Sequence, residues 1–325
     1  MTTNSHLSAR QQNLKRILSL LDENDELSAK DLSNLTGLSI VSINKLIDVL
    51  SSHTPIIATN FINTRGRRAK TYHLNYQAYK LGIVELMENH KQVQATFFFT
   101  DLTGKIQSPQ YSNSKISSID QLIAFIKQAT KNQPPQKIIV GVPGAEINGY
   151  LQISDVESLR GINLSATIQK NTGIETIIVN DANAATFGAA IDLKESQNIS
   201  VGLYFPNDAG PGVGIVINNH LINGADGLAG EVEYGTIDEH QDITRQIIQY
   251  VQNIISFLNP HLIVIYIERL SLTNLQTKQI EETIKNNLPL HKKYRLDFSR
   301  SFEKDYLKGL ATIGRKNILQ NLVII

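Results

Sequence analysis

The chain has 325 residues and a formal charge of +1, and it contains neither cysteine nor tryptophan. At roughly 100–200 residues per domain, this length predicts two or three domains. The lack of cysteine excludes disulfides, a thiol nucleophile, iron–sulfur clusters and cysteine-bound zinc. No apolar run approaches the roughly 20 residues of a membrane span, and the first residues lack a signal-peptide pattern, so we expect a soluble, cytoplasmic protein with no membrane partner.

The charge is unevenly distributed along the chain. Residues 1–80 contain ten Lys and Arg against six Asp and Glu, a net +4, whereas the other 245 residues contain 21 against 24, a net −3. Residues 49–84 contain no acid at all. A basic segment on an otherwise acidic protein indicates a polyanionic partner, although a solvated linker has the same charge.

The first fifty residues predict three short helices. Apolar residues at i, i+3, i+4 and i+7 predict the first helix: Leu14, Ile17, Leu18 and Leu21. Ser28, with an acid three residues later, predicts the N-cap of a second helix that carries Leu32 and Leu35. Gly37 permits a tight turn with a positive φ, and Ser39 can then cap a third helix. The third helix has four apolar residues on one face: Ile43, Leu46, Ile47 and Leu50.

Two short helices joined by a glycine-containing turn are typical of a helix-turn-helix. An ordinary three-helix packing module has the same periodicity. Small polar and basic residues of the third helix face away from its apolar side and can donate to phosphates and base edges, so they are candidate DNA contacts: Ser39, Ser42, Asn44 and Lys45.

A basic hairpin is predicted directly after the third helix. The β-favouring runs 55–62 and 70–74 flank Asn63-Thr-Arg-Gly-Arg-Arg68, and an Arg-Gly-Arg element suits a narrow, A·T-rich minor groove. The candidate contacts on this wing are Arg65, Arg67, Arg68 and Lys70. Together these patterns predict that residues 1–75 form a winged helix-turn-helix domain that binds double-stranded operator DNA.

From Tyr79 onwards the pattern changes to alternating strands and helices, which indicates an α/β domain over residues 79–325. Strands are predicted at 81–86, 93–99, 137–142, 175–180, 199–205, 213–218 and 262–267. Helices are predicted at 119–126, 182–191, 243–258, 275–286 and 304–320. Weak repetition of the strand–strand–helix order hints at a duplication.

Several motifs of this larger segment resemble the ROK family of repressors, unassigned reading frames and sugar kinases. They occur in the family's order and spacing: Gly141-Val-Pro-Gly144, Val179-Asn-Asp-Ala-Asn-Ala-Ala185, Gly210-Pro-Gly-Val-Gly-Ile-Val-Ile-Asn218, Gly227-Leu-Ala-Gly-Glu-Val232, Asn259-Pro-His-Leu-Ile-Val264 and Gly309-Leu-Ala-Thr-Ile-Gly314. The N-terminal segment resembles the transcriptional-regulator branch. The resemblance implies a winged helix-turn-helix followed by a two-lobed, actin-like (ribonuclease H-like) ROK domain.

The resemblance also implies a ligand site. In the sugar kinases of the family, the residue matching Asp181 is the base that takes a proton from the sugar, and the residues matching Asn180 and Glu231 hold sugar hydroxyls. The alternative is a structural role, because Asp181 suits an N-cap ahead of the alanine-rich helix.

The chain departs from the kinases at each nucleotide contact and at the zinc site. The segment Gly82–Lys91 has no glycine at its turn, where Leu86, Met87 and Glu88 are expected to block phosphates. Pro211 removes an amide donor from the second phosphate loop, and Tyr266-Ile267 stands where the family has a glycine pair. Tyr234 replaces the zinc-binding histidine and can offer a hydroxyl to a ligand instead. We therefore expect no ATP, no metal and no other cofactor, and Asp181 is at most a vestigial base.

These observations favour a DNA-binding transcriptional regulator, most simply a repressor of carbohydrate-related genes. Its non-catalytic ROK-like domain would form a homodimer, or a dimer of dimers, and sense a sugar or sugar phosphate. A first alternative is a constitutive DNA-binding dimer with no effector. A second is an ATP-dependent sugar kinase that uses Asp181 as its base.

Overall fold

The computed structural model divides the chain into two compact units. The first contains Met1–Lys80, Asp101–Gly104 and Gly314–Ile325, and the second contains Leu81–Thr100 and Lys105–Ile313. The sequence analysis assigned all residues from 79 to 325 to the second domain, whereas the first unit also contains Asp101–Gly104 and Gly314–Ile325. The structure describes residues 7–64, 67–89, 92–154, 156–191, 193, 198–206, 210–238 and 240–324.

The secondary structure follows the predicted order, with additional short elements. The helices are α1 (Ala9–Glu23), α2 (Ala29–Thr36), α3 (Ile40–His53), α4 (Ile119–Thr130), α5 (Leu164–Thr172), α6 (Asp181–Ala190), α7 (Ile243–Leu258), α8 (Asn274–Asn287) and α9 (Phe302–Asn321). The strands are β1 (Leu27–Ser28), β2 (Ile57–Thr64), β3 (Arg67–Leu74), β4 (Lys80–Asn89), β5 (Gln92–Asp101), β6 (Tyr111–Ile116), β7 (Lys137–Val142), β8 (Gly144–Ile147), β9 (Tyr150–Ser154), β10 (Glu175–Asn180), β11 (Ile199–Tyr204), β12 (Gly212–Ile217), β13 (His220–Leu221), β14 (Leu262–Tyr266) and β15 (Arg295–Ser299).

The first unit contains the helices α1–α3 and a small antiparallel sheet in the order β1-β3-β2. The predicted apolar residues of α1 and most of those of α3 are buried, and so is Leu32 of α2. Leu35 is an exception, because it is 46% exposed rather than part of the core. No single helix of the described residues is long and apolar enough to cross a membrane, and only the sharply bent pair α2–α3 passes that test, by length and composition alone.

The end of α9 is anchored within this first unit. Arg315 donates from Nε to the carbonyl of Leu102 (2.6 Å) and from Nη2 to the carboxylate of Asp22 on α1. The Tyr76 hydroxyl donates to the same Asp22 oxygen (3.3 Å). Because Asp22 and Arg315 are each about one-fifth exposed, this ion pair is partly shielded from water.

The second unit contains two five-stranded sheets with the same strand order. The first sheet runs β10-β7-β4-β5-β6, and the second runs β15-β14-β11-β12-β13. In each sheet the first three of these strands are parallel, and the last two are antiparallel to each other. Central strands such as β7 and β14 are buried along their whole length, as expected for parallel strands covered on both faces. The shared topology accounts for the repetition of strand–strand–helix order in the sequence.

Helix α6 crosses α9 with its backbone in close contact. A Cβ added at Gly188 would clash with the carbonyl of Asp305, and one added at Gly309 would clash with the carbonyl of Ala184. The crossing therefore requires glycine on both helices. It fixes the body of α6, whose first residue is Asp181.

Candidate functional site

The turn between α2 and α3 has the geometry of a helix-turn-helix. The chain bends by 110° between the two helices, within the range typical of this motif. Gly37 adopts φ 77°, and its N–H donates to the carbonyl of Ser33, which ends α2. Ser39 then accepts from the N–H of Ser42 (3.1 Å), which caps the start of α3. The predicted turn glycine and the predicted cap are both confirmed.

The predicted DNA contacts on α3 differ in how freely they face solvent. Ser39 and Lys45 are exposed, whereas Ser42 and Asn44 are half-buried. The hydroxyls of Ser39 and Ser42 are hydrogen-bonded to each other (2.9 Å). Asn44 accepts through Oδ1 from the hydroxyl of Tyr72 on β3 (3.3 Å), so its side chain holds the helix against the wing.

On the wing, Lys70 is the predicted contact whose side chain the structure describes. It is exposed, and its Nζ lies 5.2 Å from the centre of the Tyr72 ring. Arg65 lies outside the described residues. Arg67 and Arg68 belong to β3, opposite Thr64 and Asn63 of β2, and their side chains lie outside the description. The predicted hairpin is confirmed. The DNA contacts of its basic tip stay a prediction.

Sequence reasoning missed two residues at the start of α3. Ile40 is 46% exposed and Val41 is 64% exposed, although both are large and apolar. Val41, Lys45 and Asp48 are spaced i, i+4 and i+7, opposite the buried stripe, and all are exposed. That spacing was visible in the sequence and could have identified Val41 as part of the solvent face.

In the second unit, β10 ends and α6 begins at the predicted ligand residues. Asn180 is the N-cap, and its Oδ1 accepts from the N–H of Asn183 (2.8 Å). The structural alternative for Asn180-Asp181, a cap between strand and helix, is confirmed, but Asn180 rather than Asp181 makes it, because Asp181 is the first residue of the helix itself. The Asp181 carboxylate accepts from the N–H of Ala182 (2.7 Å) and from Nδ2 of Asn180 (3.2 Å). Asn180 also donates to the carbonyl of Gly144 (3.0 Å), which joins the helix to the β8–β9 hairpin.

Two cavities open around this strand–helix junction. The larger, of about 340 Å³, and the smaller, of about 90 Å³, share Gly144, Asn180, Asn183 and Glu231 as lining residues. Asp181 lines the smaller cavity, and Glu146 and Asn223 line the larger one. The structure thus brings Asn180, Asp181 and Glu231 together. Tyr234 lines neither cavity and is 72% exposed.

The cavities are lined by amides and carboxyls. Burial raises the pKa of the Glu146 carboxyl, and burial together with the neighbouring Glu233 raises the pKa of Glu231. The buried Oε1 of Glu146 and Oδ1 of Asn183 have no hydrogen-bond partner among the described residues. No Lys, Arg or His is among the described residues that line either cavity. Such a lining offers several hydrogen bonds to hydroxyl groups and none of the cations that usually bind a phosphate.

Tyr266, which the resemblance places where the family's kinases have a glycine, belongs to a buried aromatic cluster. Phe302 stacks on Tyr204 with 3.8 Å between ring centres, meets Tyr266 edge-on at 5.1 Å and lies tilted against Tyr306 at 5.7 Å. The Tyr266 hydroxyl donates to the carbonyl of Ala185 (3.1 Å). A large, hydrogen-bonded side chain therefore occupies the position of a family glycine.

The first phosphate segment differs from the sequence-based expectation. Leu86 is buried in the core instead of blocking the turn. Glu88 does not offer a free charge to repel phosphates, because Nη1 of Arg269 donates to its carboxylate (2.7 Å) and Nη2 to its carbonyl (2.6 Å). These contacts link β4 to the segment after β14, 181 positions apart.

No cluster of three or more potential metal-binding side chains occurs within the described part of the chain. The described residues around Glu231 offer the carboxyl of Glu233 and the phenol of Tyr234, without a histidine. The structure therefore gives no donor set that suits zinc at this place.

Comparison with known proteins supports the resemblance to one family and shows the fold. Residues 93–244 match the model of the ROK family. A solved ROK family transcriptional regulator, described as a homolog of the E. coli MLC protein, superposes with a TM-score of 0.73 at 17% identity and covers 97% of this chain and 98% of its own. The comparisons confirm the resemblance to the ROK family and the predicted fold, a winged helix-turn-helix followed by an actin-like α/β domain.

Relatives among characterised proteins include repressors and kinases. The xylose repressor of Bacillus subtilis (strain 168) is 29% identical over 240 residues, which cover 70% of this chain and 60% of the repressor. The N-acetylmannosamine kinase of Haemophilus influenzae (strain PittEE) is 33% identical over 104 residues, which cover 31% of this chain and 34% of the kinase. The chain thus spans about three fifths of the length of the xylose repressor that it matches.

Proposed function

We propose that this protein is a DNA-binding transcriptional repressor whose ROK domain binds an unphosphorylated sugar and has no catalytic activity. The observation that carries the proposal is the helix-turn-helix of α2 and α3, capped at Gly37 and Ser39 and followed by the wing of β2 and β3. This motif precedes a domain that resembles the family's sugar kinases but carries Tyr266, part of a buried aromatic cluster, where they have a glycine. The resemblance to xylose repressors supports the same function.

DNA binding is supported by the charge and placement of the exposed side chains. Lys45 lies on the solvent face of α3, and Lys70 lies on the wing. Both belong to the segment of the chain that carries a net charge of +4 over residues 1–80. We assign Ser39, Ser42 and Lys45 to DNA contacts, and Arg65, Arg67, Arg68 and Lys70 to backbone or minor-groove contacts. Asn44 acts chiefly by orienting the helix.

The cavity at the start of α6 supports a neutral ligand rather than a phosphorylated one. Its lining supplies Asn180, Asn183, Asn223 and two carboxyls whose pKa is raised, Glu146 and Glu231. Amides and carboxyls satisfy the hydroxyls of a sugar, whereas a phosphate would lie beside carboxyls with no compensating cation among the described lining residues. Since the similar repressors of Bacillus and Caldicellulosiruptor are named for xylose, D-xylose is the first sugar to test.

A non-catalytic role is supported by the aromatic cluster around Phe302 and by the Glu88–Arg269 pair. By the resemblance, Glu88 lies in the segment that matches the first phosphate turn of the family's kinases, and Tyr266 of the cluster stands where they have a glycine. Asp181 keeps the position of the catalytic base but accepts two hydrogen bonds from its own strand–helix junction. A base without a bound phosphoryl donor has no reaction to promote.

Operator recognition by a homodimer, or a dimer of dimers, completes the proposal. Two copies would place two α3 helices in successive major grooves, about 34 Å apart along the DNA. Sugar binding would favour a state with different spacing of these helices and so weaken operator binding in the cytoplasm.

In vitro selection from a random DNA library tests the proposal. We expect enrichment of one inverted-repeat sequence, bound at least about 1,000-fold more tightly than bulk DNA at moderate salt. Lys45→Ala should weaken this binding, whereas Lys292→Ala, which removes an exposed lysine of the second unit, should not. If no sequence is enriched, the proposed function is wrong. ADP release with any hexose that disappears in Asp181→Ala would favour the kinase alternative.

A further inference from the structure

The start of α3 presents an exposed apolar pair that the fold itself does not use. Val41 is 64% exposed and Ile40 is 46% exposed, while the core face of the same helix buries Ile43, Ile47 and Leu50. Exposed apolar side chains are common when scattered singly. Two adjacent ones in the first turn of a helix that follows a helix-turn-helix bend lie where such motifs contact base edges.

We infer that Val41, flanked by Ile40, contacts the C5-methyl groups of thymines in the major groove and thereby sets the base preference of the protein. This inference rests on the proposed DNA-binding function and specifies its contact chemistry. In the major groove, the thymine methyl is the base-edge group that an apolar side chain recognises. Serine and lysine side chains nearby can donate hydrogen bonds but cannot replace this contact.

The local hydrogen bonds make Val41 the prominent side chain of the first turn. Ser39 and Ser42, on either side of it, are bonded to each other, and Ser39 also caps the helix. Asn44, which the sequence also suggested as a base contact, is turned toward Tyr72. Among the described side chains of the first two turns, Val41 and Lys45 are thus exposed and have no role in capping the helix or holding it against the wing.

The charge along this face favours insertion by its N-terminal end. Lys45 lies one turn beyond Val41, where it can reach a phosphate or a guanine, and Asp48 follows in the next turn. Both are exposed, and the Asp48 carboxylate would be repelled by phosphates. The helix therefore approaches DNA best with Val41 deepest in the groove.

DNA suits this surface better than a protein partner does. A stable protein interface buries about 800 Å² on each side, more than two side chains can supply. Lys45 on the same face and Lys70 on the wing are exposed cations, and Lys70 belongs to the acid-free residues 49–84. The apolar side chains match the C5-methyl group of a thymine, and the cations around them match the phosphates on either side of the groove.

Thymine-to-uracil substitution tests the inference because it removes the methyl group alone. The duplex enriched by in vitro selection is prepared with each thymine replaced in turn by uracil, and its affinity is measured by fluorescence anisotropy. For the native protein, we expect at least one substitution to weaken binding about fourfold, the value of one buried methyl group. In Val41→Ala the same substitution should change the affinity less than about twofold, because the contacting side chain is gone.

Two controls separate base contact from other effects. Val41→Thr keeps the branched shape and should retain most of the uracil effect, whereas Leu290→Ala removes a 90% exposed apolar side chain of the second unit and should leave it unchanged. A uracil effect that persists in Val41→Ala, or is absent from every position, overturns the inference while the proposed function stands. Weaker self-association of Val41→Ala with unchanged base preference would indicate a protein contact and also overturn it. If no DNA sequence is enriched, both fail.

Discussion

Glu85 is a buried carboxyl in β4 that makes the stability of the second unit depend on pH. One of its oxygens has no hydrogen-bond partner among the described residues, and burial, together with the charge of Glu303, raises its pKa from 4.5 to about 8. In the unfolded chain this carboxyl ionises near its ordinary pKa, whereas the folded state retains the proton up to about pH 8. The contribution of Glu85 to the free energy of unfolding is therefore fully present below the pKa of the unfolded state. It is lost as the pH rises to and through the pKa of the folded state.

We predict that the free energy of unfolding falls between about pH 4.5 and pH 8, by up to about 1.4 kcal/mol per pH unit from this group. Glu85→Gln, which cannot ionise, should flatten that dependence and unfold at higher denaturant concentration at pH 8. Urea titrations at several pH values measure the effect. Equal slopes for the two proteins would contradict the assigned protonation of Glu85.

Glu146 is the corresponding residue of the ligand cavity. Its buried Oε1 has no partner among the described residues, which leaves an acceptor ready for a sugar hydroxyl. We predict that Glu146→Ala weakens sugar binding about tenfold, because one hydrogen bond to a charged or polar acceptor is lost. DNA affinity in the absence of sugar should not change. Isothermal titration calorimetry measures the first quantity. Glu157→Ala, which removes an exposed acid away from the cavity, is the control, and equal sugar affinity for both variants would exclude Glu146 from the site.

At the scale of elements, the last turns of α9 stabilise α1 within the first unit. Arg315 joins Asp22 of α1 to the carbonyl of Leu102, with both charged groups only about one-fifth exposed. We predict that Arg315→Ala lowers the opening free energy of α1 by about 1.5–3 kcal/mol, the range for hydrogen bonds to charged groups. Hydrogen exchange of the α1 amides would then be about 10- to 100-fold faster.

Arg295→Ala provides the matched control, because Arg295 pairs with Asp297 on the surface of the second unit. That variant should leave exchange in α1 unchanged. Unaltered protection of α1 in Arg315→Ala would show that the packing of Leu14, Ile17 and their neighbours suffices to hold the helix.

The elements that the sequence predicted well have regular apolar spacing. The stripe of α1 and the continuous apolar runs of β7 and β14 are examples, because burial alone determines these patterns. The β8–β9 hairpin, α5 and the edge strand β15 were missed, since they are short and mix polar with apolar residues. Glycine and cap signals were informative locally, as Gly37 and Ser39 show.

The candidate site could be predicted only in part, for a physical reason. Asn180, Asp181 and Glu231 were suggested by motif and lie around one pair of cavities. Glu146 was missed because its place in the cavity depends on how the β8–β9 hairpin packs, which no local pattern encodes. The pairing of Glu88 with Arg269 joins residues 181 positions apart and changed the expected role of Glu88.

At the scale of the whole chain, the charge of +1 is the sum of unequal parts. Residues 1–80 carry +4 and contain the helix-turn-helix, whereas the remaining residues carry −3 and contain the cavity lined by carboxyls. The positive part suits a polyanion, and the acidic cavity suits a neutral sugar. We propose that one chain thereby combines a DNA-binding domain with a domain that binds an unphosphorylated sugar.

The most direct test of this account measures the affinity of the full chain for its selected DNA while sugar is added. Fluorescence anisotropy is recorded with increasing D-xylose, D-glucose or N-acetylmannosamine, and in parallel with the 6-phosphate of glucose. We predict that at least one free sugar weakens DNA binding about tenfold or more in a saturable manner, and that the phosphorylated sugar does not. A response to the phosphorylated sugar alone, or to none of these sugars, would contradict the account.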